Sequence, residues 1–387
     1  MSTKKYEITD IAMIVGSTKL FRIRSLIDLP SIPKGSLGGF IEKESNLSQK
    51  GNSWIYNDAK VFGNARVSGN AKVYLNAEVS GNAMVYDDAK IYSHAKIYSH
   101  AEISGNAKIF GCVHVHGKAK IYGNASLFNE ANVFGLAEVY GNTKVCGSAE
   151  VYGSAEVYGS AEVSGNAKIF DNATIFDNAK VTGNSKIYGL ARLFNEAAVF
   201  CSAEVYGNTK VCGSAKVYSN AMVYDDAKVC GSAKVYGNAK VYGNSLISDG
   251  AKVFGDACVS EHMHICFGVV KTDLTKDLIS SIEAQTNLKV FNGEVYCYKH
   301  VGKDLESLYN PNFKYKVGDF AVEENTEDSN RSCAPGLHVS HPSYWNDNNG
   351  KKVLFCKVRL EDIITVQSGK IRCKKLYVIG VCDGKTH

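Results

Sequence analysis

Two His-x-His pairs, His114/His116 and His262/His264, are the residues of this chain best placed for chemistry. Residues two apart on a strand share one face, so each pair presents two imidazoles side by side. Two imidazoles could chelate one ion, but a catalytic zinc site takes three protein ligands, so no metal is expected. His114 or His116 could instead act as a general base. That role needs a positioned partner within hydrogen-bond reach, and the surrounding GCVHVH supplies none.

A second kind of chemistry is suggested by rows of like residues. Lys72, Lys90, Lys108, Lys144, Lys180, Lys216, Lys234 and Lys252 recur on one face with Tyr56, Tyr74, Tyr92, Phe110 and Phe128 beside them. Cations interleaved with aromatic rings suit a sequence-tolerant site for an anionic polymer. Phe134, Tyr152, Phe170, Tyr188, Tyr206, Tyr224 and Tyr242 form an unbroken row on a second face. It could stack sugars or be buried against another subunit. The third face is interrupted at Ser68, Ser104, Cys212, Cys230 and Ser248. The same residues have an ordinary use, since stacked aromatics stabilise strands and lysines keep a sheet soluble. In the tail, Arg331, His338 and Arg372 stand in the most distinctive segments and are the candidate binding residues there.

What positions these rows is a repeat. From Ile55 to Val259 an aliphatic residue returns every six residues without insertion or deletion, in hexads of the type V-Y-G-N-A-K. The aliphatic residue and the small residue two before it point one way, and their neighbours point the other. The following Gly-Asn pair is a turn former, because both residues tolerate positive φ. Each hexad is therefore an edge and a corner, and three edges close an 18-residue triangular coil. At about 4.8 Å per coil, roughly 12 coils would span about 55 Å. A large and a small residue alternating inward leave no room for a ligand in the interior. No proline falls between Pro33 and Pro311, as continuous ladders require.

This pattern resembles the hexapeptide-repeat superfamily of left-handed parallel β-helices. The chain matches that family at the aliphatic position and at the small residue four later, but has Tyr or Phe where the family has Gly. The resemblance implies an all-β solenoid and left-handedness, with a right-handed solenoid of the bactofilin type as the alternative. Many chains of this superfamily are trimeric acyltransferases with a catalytic His in the cleft between subunits, which would single out His114 and His116. Such enzymes commonly carry an inserted loop or helical tail at the pocket, and no loop interrupts these repeats. The Arg, Asp, Gln and His pattern of the γ-type carbonic anhydrases is not recognisable. LGG-F-I-E-x-E-x-N-L-S and the GNAxVY repeats, with FKYKVGDF, CAPGLHVS and KIRCKKLYVIG in the tail, resemble uncharacterised phage and prophage proteins. The strands followed by G-L-H-V-S in the tail faintly resemble ADP-ribosyltransferase folds, whose late Glu is missing here, which implies a binding module.

Three regions are expected: residues 1–50 as cap and first coil, 51–266 as the β-helix, and 267–387 as a small α+β domain. A hairpin is predicted through Lys4–Arg24, with Ile41 and Leu47 already at hexad spacing. In the tail a helix is predicted at Thr275–Thr286, with strands at Lys289–Lys299, Lys352–Val358, Ile363–Val366 and Lys375–Val381. The 387 residues are 45% hydrophobic and 21% charged with a net charge of +5, an ordinary soluble composition. Neither a membrane nor a nucleic-acid partner is therefore expected. Twelve cysteines without CxxC spacing argue for a reducing compartment. The start has no long apolar stretch, so the cytoplasm is the expected location, with a virion as the alternative. Leu127–Tyr152 recurs as Leu193–Tyr218, an offset of 66 residues that is not a whole number of coils. Copied residues thus land on different faces, which favours a spacer over a precise surface. The reading from sequence is a non-enzymatic scaffold that forms a homo-oligomer, with a trimer favoured, whose tail engages a protein or polymer partner. No cofactor is expected. An acyltransferase or a virion adhesin are the alternatives.

Overall fold

A computed structural model describes residues 4–327, 334–344 and 352–382. The chain divides into two compact units, Met1–Ser219 and Asn220–His387. Together they make a parallel β-solenoid of about 13 turns and a small antiparallel sheet domain.

In the first unit each hexad contributes a two-residue strand, as at Lys60–Val61 and Arg66–Val67. Each pairs in parallel with the strand 18 residues on, for example Lys90 with Lys108 and Ile91 with Ile109. Three sheets result, one per face. Ala59, Val61, Ala65 and Val67 are fully buried, as are the equivalent residues of every following hexad of this unit, including Val113, Thr143, Ser185 and Thr209, which stand at alanine positions. Backbone donors are used up in the ladder: Glu150 N–H bonds the Ala167 carbonyl and Tyr152 N–H bonds that of Ile169, both at 2.9 Å.

Corners are held by left-handed backbone. Gly141 has φ +74°, and a Cβ there would lie 2.7 Å from the Gly159 carbonyl oxygen of the next coil. Elsewhere the same corner position is taken by residues such as Leu75 (φ 60°) and Asp87 (φ 55°). Asparagines follow in side-chain ladders, Asn106 to Asn124 at 3.2 Å and Asn124 to Asn142 at 3.0 Å. Each amide gives one N–H up the stack and accepts one from below.

The expected hairpin is strands β1 (Tyr6–Val15) and β2 (Thr18–Ser25), and β3 (Leu37–Ile41) follows. β2 pairs antiparallel with β3, and β3 pairs parallel with the first hexad strands through Ile41 and Val61. Gly39 has to be glycine, since a Cβ would meet Ile55 Cγ2 at 2.4 Å and the Ala59 carbonyl oxygen at 2.5 Å. Tyr6 and Lys5 are buried under this cap. Lys5 Nζ donates to the Ser53 carbonyl at 2.9 Å and to Ser53 Oγ at 3.1 Å, groups at the open start of the solenoid that no earlier coil can satisfy.

In the second unit the hexads run on through His264–Ile265, and the repeat then loses one residue: Val253 pairs with Val270, 17 positions on. These extra turns at both ends raise the count from the expected 12. Helix α1 (Leu278–Thr286) starts three residues later than predicted because Asp277 caps it, accepting the Ser280 N–H at 3.0 Å. The antiparallel sheet after it has the order Phe320–Val322, Lys375–Cys382, Lys352–Arg359, Glu294–Val301, Leu337–Ser340, Lys370–Cys373, Ile363–Gln367. The short strands Phe320–Val322, Leu337–Ser340 and Lys370–Cys373 are not among those predicted, and the predicted strand Lys289–Lys299 is broken by a left-handed turn at Asn292–Gly293 into Val290–Phe291 and Glu294–Val301. The core of this sheet includes Val295, Cys297, Val301, Leu354, Cys356, Ile371, Cys373 and Ile282 of α1.

Polar residues at the alanine position differ in one respect. Ser185 Oγ donates to the Thr182 carbonyl at 2.8 Å, whereas Ser245 Oγ is buried with no partner. An unpaired buried hydroxyl costs on the order of 1 kcal/mol. Ser245→Ala should therefore raise the urea midpoint of its unit, and Ser185→Ala should lower that of its own. Shifts of the same sign would show that these hydroxyls do not set the difference.

Candidate functional site

The two histidines singled out for catalysis lie outward on either side of buried Val115. His116 is a rung of an aromatic ladder, stacked 4.8 Å from Tyr98 and 5.0 Å from Phe134, within 8° and 3° of parallel. Burial and the neighbouring His114 lower its pKa, while the nearby Asn132 side chain works the other way. No carboxylate takes part, so nothing orients the ring as a base. Among the described residues no group of three or more His, Cys, Asp or Glu is placed to hold a metal. The other pair flanks Met263, with burial lowering His264.

The ladder continues from Phe134 through Tyr152, Phe170 and Tyr188 to Tyr206 in the first unit, with rings 4.7–5.0 Å apart. Tyr224 and Tyr242 stack at 4.9 Å in the second. A neighbouring carboxylate takes the hydroxyl of one rung: Tyr188 Oη donates to Glu204 at 3.5 Å, and burial plus that charge push the phenol up to about 12. The third face, interrupted by small residues in the sequence, nonetheless forms an unbroken stack of Tyr122, Tyr140, Tyr158, Phe176 and Phe194. All three faces therefore use the same device, which is what strand stabilisation alone requires.

Lys72, Lys90 and Lys108 lie in direct register, one coil apart. Beside them Tyr56, Tyr74 and Tyr92 stack at 4.4 and 4.6 Å. Some lysines elsewhere meet an acid one coil away, as in Lys120–Glu138 (3.1 Å) and Lys186–Glu204 (2.8 Å). Farther along the Lys72 row, Lys180 faces Glu162 at 3.6 Å, and in the second unit Lys234 again pairs in register with Lys252, so the row is positive in separate stretches rather than throughout.

The C-terminal sheet brings its two candidates together. His338 and Arg372 are register partners on adjacent strands, and Arg372 is buried with its stem against Gly336. Arg331 lies outside the described residues. A cavity of about 260 Å³ opens beside His338, lined also by Lys299, Phe313, Tyr315, Glu323 and Lys370. Lys299 is only 9% exposed, and its Nζ donates to the His338 carbonyl at 2.9 Å and sits 5.2 Å over the Tyr315 ring. Burial lowers the pKa of this ammonium. Burial and the charges of Lys370, Lys299 and Arg372 bring the His338 imidazole down to about 4, against a hydrogen bond to Gly336 that works the other way. His338 is thus neutral at neutral pH.

Lys299 and this cavity were missed in the sequence, although a signal was present. In Glu294–Val301 the inward positions are Val295, Cys297, Lys299 and Val301, so strand alternation puts a lysine in the core. No protein-family model matches the chain, and no curated protein aligns with it.

Proposed function

We propose that the protein is a non-enzymatic scaffold of the hexapeptide-repeat, phage-accessory kind, in which the solenoid is a stiff spacer and oligomerisation surface. The C-terminal sheet domain is then the part that binds a partner. The observation that supports this most is the uninterrupted filling of the coil interior, with no loop inserted to shape a pocket and His116 used as a ladder rung. Flat faces with aromatic stacks favour a homotrimer, placed in the cytoplasm. Acyl transfer would need a base at His114 or His116, and His116 is engaged by two flanking rings.

The test is light scattering on the full chain together with acetyl-CoA titration. The expected result is one species of three times the chain mass and no saturable acetyl-CoA binding. Saturable binding that disappears in His114→Ala/His116→Ala would replace this reading with an acyltransferase. A monomer would remove the oligomerisation role and leave only the spacer.

A further inference from the structure

The cavity of the C-terminal domain contains polar atoms that the protein leaves unsatisfied. Lys299 Nζ has one hydrogen bond, to the His338 carbonyl, and no carboxylate within ion-pair distance among the described residues. An ammonium has three donors, so two remain. His338 Nε2 is buried and has no partner. The neutral imidazole has one accepting nitrogen, and in the tautomer protonated at Nδ1 that acceptor is the unpartnered Nε2.

A buried cationic donor and a buried acceptor thus line one cavity, together with Lys370, His300 and, among the described residues, one acid, Glu323. The remaining lining is mixed: Ser307 and Asn310 are polar, and the rest includes aromatic and aliphatic side chains. Phe313 and Tyr315 meet edge to face at 5.1 Å and 61°, with Leu308 and Leu337 alongside. Burying an uncompensated ammonium is costly, and an unbranched apolar side chain such as methionine would avoid that cost. The arrangement is complementary to a group that offers a charged oxygen to Nζ and a hydroxyl proton to Nε2. A phosphate monoester does both, because its second proton titrates near neutrality. A carboxylate offers only the oxygen.

We propose that this cavity is a binding site for a small phosphate monoester on a flat apolar group, with the phosphate held by Lys299 Nζ and His338 Nε2 and the flat group against Phe313 and Tyr315. This deepens the reading of the domain as a binding module and rests on it.

The test is calorimetric titration of the full chain with phenyl phosphate, inorganic phosphate and benzoate, repeated on Lys299→Met. Saturable binding of phenyl phosphate is expected, with inorganic phosphate and benzoate weaker. Lys299→Met should weaken it by about tenfold or more, as loss of a charge-assisted hydrogen bond does. The variant loses a buried charge and should melt no lower than the parent, which separates lost binding from lost folding. Phenyl phosphate should also shift the imidazole resonances of His338. Benzoate binding as tight as phenyl phosphate would overturn the phosphate assignment. Absence of binding, or equal binding by Lys299→Met, would overturn the site. Capture of a protein partner by a domain that ignores phenyl phosphate would sink this inference while sparing the scaffold reading.

Discussion

Val151→Asp should break the solenoid at its own coil. Val151 is fully buried and pairs with Val133 above and Ile169 below. The carboxylate would enter an interior of valine, isoleucine and alanine in which the nearby backbone donors are already committed to the ladder. Losing the valine costs about 1–2 kcal/mol, and the unpaired charge adds several more. The outward Tyr152→Asp should cost only about 1–3 kcal/mol, the value of its two stacking contacts. Because each coil contacts only its neighbours, a defect of this size should divide one unfolding transition into two. Limited proteolysis should then cut near residue 151 under conditions where Tyr152→Asp stays intact. Equal resistance of the two variants would mean that the interior is not packed as described.

The second large effect is a dependence of the N-terminal cap on pH. Burial brings Lys5 from 10.5 down to about 8. Its folded pKa is below its unfolded one, so between pH 8 and 10.5 the unfolded chain holds more protons and stability rises with pH. The gain is absent below pH 8 and complete above 10.5, and amounts to about 3 kcal/mol at roughly 1.4 kcal/mol per unit. Amide exchange in β1 and β2 should therefore slow, relative to the intrinsic rate, as pH is raised from 8 to 10. Lys5→Met should flatten that slope. An unchanged slope in the variant would assign the effect to another group.

These two sites mark where sequence and structure part. Val151 was readable as interior from its hexad position alone, since one rule with a period of six fixes every inward residue. The third-face stack from Tyr122 to Phe194 follows from the same rule once faces are assigned, and the interruptions at Ser104 and Cys212 only bound it. In the tail, the long strands and the helix were legible because each has its own alternation or cap. The pairing of His338 with Arg372 was not, because register between distant strands is set by turns and packing. Lys5 and Lys299 are harder again. A lysine reads as surface by default, and only the fold shows that one seals an open coil end and the other lines a cavity. The count of turns fell short for a related reason: both end coils depart from 18 residues, one lengthened by the cap and one shortened at Val270.

The constant 18-residue separation of paired strands has a consequence for how the chain acquires its structure. Sheets usually form slowly because their partners are far apart in sequence. Here, within each unit, every hexad strand after the first coil finds its neighbour one coil away, so the search is nearly as local as in a helical bundle. Since the hexads are also nearly interchangeable, nothing inside them states which coil is which. Only the irregular cap can set the count, and it is made first during synthesis. The coils should then be laid down in order from β3, as each emerges, in the manner of a thread wound onto a spool.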